Sequence, residues 1–423
     1  MNSAVKLYVN FIKTMKVPLR YYFSAIFFAA FANGTYNVLF RIYMKNLGLD
    51  ETVIGSVISV LTIGTAIGAF FGAMLTLRLG KKWALISGQA LVFVSALLMV
   101  NLPIIPVIYL CNLFFGLGFS VINVVNNPII FQNTSEKERI TGFSLGFMIN
   151  NLAAMSASFL SGNLSTMLTA HYGSIQANRL TLNMFACAFV IAVVLFAKFF
   201  SSDDGVRDED KVEKQDQKHL FSASFRHYKE LFRGRTVLYM LQTSCIGFGA
   251  GLVVPFFPIY IKHVLEVGDG IVGNIMAATQ VGMALGGLMV PLLAKKFGSI
   301  KTVIACQLIS IPFLLSISMP MTMWTVMISL FMRSALMNMA TPVIGSLAME
   351  LVDKELQTFM SSLIHLTNSG MRALGAFVGG YMMYNIGYNS PYPLTIAAYL
   401  IGTALFYITF QNKTRGQRTG NMS

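Results

Sequence analysis

The chain has 423 residues, 55% of them hydrophobic and 11% charged, at a mean hydropathy of +0.65; a soluble domain carries about 25% charged residues. No water-soluble fold of this length hides so much apolar surface, so lipid is its solvent. The net charge of +14 does not point to nucleic acid, because Lys and Arg sit in short loops between apolar stretches, the positive-inside pattern rather than a basic groove.

Residues 1–20 mix Lys6, Lys13, Lys16 and Arg20 with Leu7, Tyr8, Phe11 and Ile12. No continuous apolar core precedes a small-residue cleavage site, so this is not a cleavable signal. It reads either as a basic amphipathic segment on the anionic inner leaflet or as a disordered tail. A bilayer core of about 30 Å needs about 20 apolar residues as helix, which predicts an all-α membrane protein with twelve spans. They fall at 21–44, 53–77, 83–101, 104–130, 141–166 and 180–200 in the first half. In the second half they fall at 236–261, 270–297, 302–320, 322–350, 356–382 and 393–411. Two six-helix bundles, 21–200 and 236–411, are thus joined by a polar linker, 201–235, and followed by a tail, 412–423. Within the linker, Phe221, Phe225, Tyr228 and Phe232 stand near helical spacing, which fits an amphipathic surface helix or a plain connection. With both termini on one side, that side collects nearly all loop Lys and Arg, and the other holds only Lys45, Arg179 and Lys262. Both termini are therefore expected in the cytoplasm. Cys111, Cys187, Cys245 and Cys306 all lie in apolar segments and read as small core residues; neither a disulfide nor a metal site is expected.

The second half repeats the first. Gly34, Tyr43 and Lys45 recur as Gly251, Tyr260 and Lys262; Gly55, Gly64 and Gly80 recur as Gly273, Gly282 and Gly298; Asn151 and Gly162 recur as Asn368 and Gly379. The offset, read from the residue numbers, is 217 or 218 throughout. A duplicated helical bundle in a bilayer builds a pathway between halves that rock against each other, so transport is the leading expectation.

Between spans 2 and 3 the chain reads Ala73-Met-Leu-Thr-Leu-Arg78-Leu-Gly80-Lys81-Lys82. With two six-helix halves and a long central loop, this resembles the major facilitator superfamily, whose pattern here is G-x-L-A-D-R-x-G-R-[RK]. Arg78, Gly80, Lys81 and Lys82 match, while Leu77 replaces the Asp and Ala73 the first Gly. The second copy, Lys295, Lys296 and Gly298, is also degenerate. The resemblance implies a conformational latch at both loops, a secondary transporter working by alternating access, a monomer, and no cofactor. It also implies a multi-pass protein of the inner (plasma) membrane. Two further signatures are missing: Asn112 stands where proton-coupled members have Arg in span 4, and span 5 lacks the proline of drug antiporters around 146–154.

No Asp or Glu falls near the middle of any predicted span; Asp50, Glu51, Glu266 and Asp269 read as outer-loop residues. Positive charge is there instead. Arg333 lies about 11 residues into span 10, about 16 Å deep at 1.5 Å per residue. Thr358, Ser361, His365, Asn368 and Arg372 form a polar stripe along span 11. A buried guanidinium cannot shed its proton and must find an anion, carbonyls or water. Asn33, Asn37 and Arg41 in span 1, and Asn123 among the polar residues of span 4, would face the central cavity on the family resemblance. The candidate substrate-binding set is therefore Arg333, His365, Asn368, Arg372, Asn33, Asn37, Asn123 and Arg41, with helix-to-helix hydrogen bonding, or snorkelling for Arg41, as the alternative role. Gly249, Gly251 and Pro255 predict a bend in span 7.

These features predict a carrier for a small organic solute, anionic or amphiphilic, with membrane lipids as surroundings. A multidrug exporter and a lipid-linked substrate flippase of the same fold are the alternatives, and a transporter-like sensor is a further one. An intramembrane enzyme is disfavoured by the lack of a P-loop, an H-E-x-x-H pair or a buried acid–base dyad. With no ATP site, any energy coupling is to an ion gradient.

Overall fold

The structure, a computed structural model, describes residues 11–13, 15–134, 139–201, 234–319, 322–352 and 357–420, and among them it is helical without a strand. The linker's central part and its aromatic spacing, most of the basic N-terminal segment, and the loop residues Lys137 and Lys354 lie outside the described residues. In chain order the helices are α1 (Val17–Asn46), α2 (51–79), α3 (81–101), α4 (Ile105–Gln132), α5 (139–172) and α6 (174–201). They continue as α7 (Arg235–Val264), α8 (Asp269–Phe297), α9 (Ser299–Ser318), α10 (Met323–Met339, continued by Thr341–Met349), α11 (Gln357–Asn385) and α12 (Pro391–Gly420). Among the described residues, nine stretches are long and apolar enough to cross a membrane, and one of them, Thr141–Phe199, is α5 and α6 together, turned at Gly173. The sequence reading ended span 5 at 166 and began span 6 at 180. The helices instead run on to meet at that glycine, because the polar residues between are compatible with helix outside the bilayer.

Turns between consecutive helices repeat. Gly80 has φ 80° and ψ 163° between α2 and α3, and Gly298 has φ 85° and ψ 147° between α8 and α9. Only glycine enters that region without strain, so Gly80 and Gly298 make the turns between these helices. Gly48 (φ 86°) precedes α2, and its counterpart before α8 is Glu266, at φ 52°. The backbone path is kept where the residue has changed.

The chain groups into two compact units. The first comprises Met1–Leu49, Val60–Asp216 and Val267–Ala277; the second comprises Asp50–Ser59, Gln217–Glu266 and Ala278–Ser423. Each unit therefore takes the start of one helix from the other half of the sequence. Inside the first, Phe11 and Met15 pack with Leu19, Tyr22, Phe23, Ile130 and Phe199, so the apolar side of the N-terminal segment meets protein at these two residues. Tyr43 donates to the carbonyl of Val100 at 3.0 Å. A Cβ on Gly64 would strike the Leu113 carbonyl, and one on Gly68 would lie 2.8 Å from Leu117 Cα, which seats α2 on α4. Inside the second unit, Tyr260 donates to the Ile317 carbonyl at 2.6 Å, and a Cβ on Gly282 or Gly286 would lie 2.7 or 2.6 Å from the carbonyl oxygen of Phe331 or Ala335. Every one of these pairs is its partner shifted by 217 or 218. Small residues let the backbones approach where no hydrophobic force separates protein from lipid.

The exchanged helix starts are held by acid. In the first unit, Asp269 is buried and accepts from Ser165 Oγ at 2.8 Å. Asn178 must turn its amide nitrogen to Asp269, since a carboxylate only accepts; it then donates to Oδ2 at 2.8 Å and its oxygen accepts from Asn46 Nδ2 at 2.9 Å. Thr166 Oγ1 accepts from the Gly270 N–H at 2.7 Å, and Gly273 sits on Ser158 and Gly162 of α5. In the second unit the equivalent acid, Glu51, is buried and accepts from the Tyr388 hydroxyl, whose pKa burial and this bond push above its ordinary range. Gly55 sits on Ala376 and Gly380 of α11. Glu51 and Asp269 were expected in outer loops; they lie in the first helical turns, where a carboxylate meets the positive end of the helix dipole. Packing also corrects one pairing of the repeat, because the glycine that does for Gly55 what Gly162 does for Gly273 is Gly380, not Gly379.

Of the cysteines, Cys111 and Cys306 are buried, whereas Cys187 is exposed and Cys245 is half-buried. The expectation of core positions fails for Cys187, because the outside of a membrane protein is as apolar as its core.

Candidate functional site

The first helix of each half changes its winding at the same place in the repeat. In α1, residues Tyr36–Phe40 form a π-helical turn before Arg41–Asn46 resumes α-helix. In α7, Val254–Phe256 form a 3₁₀ turn around Pro255, entered at Val253 with φ −123°. The predicted bend in span 7 is there; the π turn in α1 has no proline or other sequence sign. Such turns free backbone groups and reorient side chains, and they concentrate at functional sites.

The α7 bend presents Phe257 to Arg333. The Arg333 guanidinium lies 5.3 Å from the Phe257 ring centre and 5.9 Å from that of Tyr399, a cation–π arrangement. Its Nη2 donates to the Tyr399 hydroxyl at 2.6 Å. Arg333 is 4% exposed, and its Nε has no hydrogen-bond partner. Among the described residues no carboxylate pairs with it.

The neighbours share this character. Tyr399 is fully buried and accepts from Arg333, so its own proton points elsewhere, and no acceptor for it is found among the described residues. Tyr392, two turns earlier on the same face of α12, is 1% exposed with its hydroxyl unpartnered. Its ring packs on Tyr260 at 5.6 Å. Arg372 on α11 is half-buried and makes no hydrogen bond or ion pair through its side chain to any described residue. Its position is set by close helix approach: Gly251 of α7 touches the Arg372 backbone, and Gly375 and Gly379 of α11 touch Phe248 and Leu252 of α7. Arg333 Nε and the Tyr392 hydroxyl are left without partners, the Arg372 fork and the Tyr399 proton are also unused, and the only groups here that can accept are the two tyrosine oxygens. A buried donor left unpaired costs about 1–3 kcal/mol, more if charged.

The remaining candidates scatter. On α11, Asn368 is half-buried against Gly247, and His365 is exposed; the side chains of Thr358 and Ser361 lie outside the described set. In the first unit, Asn33 is half-buried, Asn37 and Asn123 are exposed, and Asn37 accepts from Arg41 Nη2 at 3.2 Å. At the loops where a latch is expected, Arg78 is exposed, Lys81 is 5% exposed, and Lys82 lies 5.9 Å from the Trp83 ring. Lys296 lies 5.2 Å from the Phe297 ring, while the Lys295 side chain is outside the described set. Sequence reasoning missed Tyr392, Tyr399 and Phe257; the one signal was the spacing of seven between the two tyrosines, which puts them on one helix face.

Acidic side chains among the described residues are Asp50, Glu51, Glu266, Asp269 and Glu350, all at helix ends. Asp50 caps α2, its Oδ1 accepting from the Val53 N–H at 2.8 Å.

The profile of the Major Facilitator Superfamily matches residues 22–251 and 239–421, nearly the whole chain. The chain belongs to the Major Facilitator Superfamily. Superfamily members of solved structure share its fold. A point mutant of the nucleoside transporter NupG superimposes with a TM-score of 0.75 at 12% identity, covering 94% of this chain and 99% of its own. The peptide transporter POT in complex with alafosfalin gives 0.71 at 13% identity, covering 94% and 95%. The inward-open xylose transporter XylE from E. coli gives 0.68 at 13%, covering 91% and 95%. A comparison with curated proteins found no match. The superfamily consists of secondary transporters, and this member is a multi-pass membrane protein.

Proposed function

We propose that this superfamily member carries a small organic solute with an anionic group, and that Arg333 is the anchor for that group. The observation that supports this reading is the donor surplus around Arg333: a buried cation held against Phe257 and Tyr399, with its Nε unpartnered and no carboxylate beside it among the described residues. Desolvating a guanidinium without a counter-ion costs several kcal/mol, and a bound anion offsets that cost. Met332 and Met337 flank Arg333 along α10, and such adaptable thioethers suit the apolar remainder of an amphiphile. The Lys and Arg distribution supports cytoplasmic termini, and the family resemblance supports residence in the inner membrane. Coupling through a titrating membrane carboxylate has no support among the described acids, which all cap or end helices.

The test is a solute screen on purified protein read as thermal stabilisation, followed by uptake into proteoliposomes. Arg333→Gln is expected to weaken anionic solutes about tenfold or more, the worth of one charge-assisted hydrogen bond, and to leave neutral ones nearly unchanged. Equal weakening of both would remove the anchor role.

A further inference from the structure

Resting on the anion reading above, we infer that Tyr399 is the positioning residue of its anchor: the hydroxyl fixes the direction of the Arg333 guanidinium and so sets the preference for anionic over neutral solutes. The repeat isolates this contact. In the first unit Tyr36, Phe115 and Phe189 form a buried three-ring cluster, with centres 5.9, 6.0 and 6.1 Å apart. Close helix contacts pair Gly64 with Leu113 and Gly282 with Phe331, so Arg333 stands where Phe115 does. The bonds of Tyr43 and Tyr260 match the first helix of each half in the same way, which puts Val253 in the place of Tyr36. On the last helix of each half, Phe196 and Phe406 lie in the cores that hold Tyr22 and Tyr239; that register puts Tyr399 in the place of Phe189.

Where the first unit has two phenyl rings, the second has a guanidinium and a phenol, joined from Nη2 to the hydroxyl at 2.6 Å. The one hydroxyl of the first cluster is on Tyr36 and is spent on the Ala96 carbonyl at 3.2 Å. Packing does not call for the Tyr399 hydroxyl, since Phe189 fills the equivalent place without one. What the hydroxyl adds is direction. The rings of Phe257 and Tyr399, with centres 5.3 and 5.9 Å away, attract the flat guanidinium to their faces without fixing its rotation. A hydrogen bond at Nη2 fixes that rotation and leaves Nε, which has no partner, for another acceptor. The phenol is also neutral. A carboxylate in its place would hold the fork equally well but would neutralise the charge that the solute is to meet. An arginine already held in one direction loses less rotamer freedom when the solute arrives.

The experiment uses purified full-length protein at neutral pH and constant ionic strength, read by calorimetry, with benzoate and benzyl alcohol as the anionic and neutral probes. The quantity followed is the ratio of their dissociation constants. The unmodified protein is expected to prefer benzoate about tenfold or more. Tyr399→Phe keeps the ring and is expected to cut that preference about threefold or more, through benzoate alone. In the Arg333→Gln background, which has no preference left, Tyr399→Phe is expected to change nothing further. Arg333→Lys keeps the charge without the fork and is expected to lose most of the preference. A merely structural Tyr399 would lower the thermal midpoint and leave the preference where it was, or weaken both probes alike. Either result overturns the positioning role and leaves the anion reading standing, as does a further loss in the double variant or full preference in Arg333→Lys. If Arg333→Gln keeps the preference, or the unmodified protein has none, both fall. If Tyr399→Phe fails to fold, the Arg333→Lys measurement decides.

Discussion

At the scale of single residues the repeat works as an internal control, because a position in one half tells what its partner is for. Gly48 and Glu266 occupy the same turn, and only Glu266 bears a side chain at positive φ. Left-handed backbone costs a residue with Cβ roughly 1–2 kcal/mol, partly offset by the freedom glycine regains on unfolding. Glu266→Gly is therefore expected to raise the thermal midpoint, by roughly 0.5–1 kcal/mol of stability; a lowered midpoint would show that the exposed carboxylate matters more than the turn. Glu51 and Asp269 are the second such pair. Asp269 receives Ser165 and Asn178, so Asp269→Ala leaves two buried donors unmatched and is expected to cost about 2–4 kcal/mol, measured as a drop in thermal midpoint. Asp269→Asn keeps an acceptor and is expected to cost less. The site itself follows this logic in reverse: Arg333 has no basic counterpart in the first half, where Phe115 and Gly116 occupy its place, so the cation is an addition to the symmetric frame.

Among elements, α7 and α11 decide the geometry of the site. The two helices touch through glycine on both sides, Gly251 on one and Gly375 and Gly379 on the other, so their backbones lie closer than any side chain permits. Gly251→Ala pushes a methyl into the Arg372 backbone and is expected to cost about 1–3 kcal/mol. It should also shift α11, so that anionic solutes lose more affinity than the stability change predicts. Binding and thermal midpoint measured on the same preparation check this, and an unchanged affinity would separate Arg372 from the site. The corresponding pair in the first half, α1 and α5, meets through Gly34 on Ala154 and Ala157 with Cβ distances of 3.0 Å, a looser fit that carries no charge. Helix spans were legible because about 20 apolar residues in a row have one meaning in a chain this hydrophobic. The π turn of α1 was not, since π-turns arise from packing against neighbours and have no residue signature comparable to Pro255.

For the whole molecule, the two units each complete themselves with a helix start from the opposite half of the sequence. Asn163 Nδ2 donates to Asn274 Oδ1 at 2.8 Å across one of these exchanges, between α5 and α8. Cysteines placed at both positions are expected to form a disulfide on oxidation and to stop transport reversibly, with reductant restoring it. Full transport by the oxidised protein would show that α5 and α8 stay together throughout the cycle. Sequence alone determined that the chain lives in lipid, that it is duplicated, which loops are basic, and that Arg333 and Arg372 are charges out of place in membrane spans. These follow from composition and spacing, which act locally and do not depend on which helices meet. Only the tertiary structure decided that Tyr399, Tyr392 and Phe257 gather at Arg333, that Glu51 and Asp269 are buried fasteners rather than loop residues, and that Gly380 answers to Gly162. In a membrane protein the inside and the outside are equally apolar, so the direction in which a side chain faces is written in the packing of helices and not in the hydrophobic pattern.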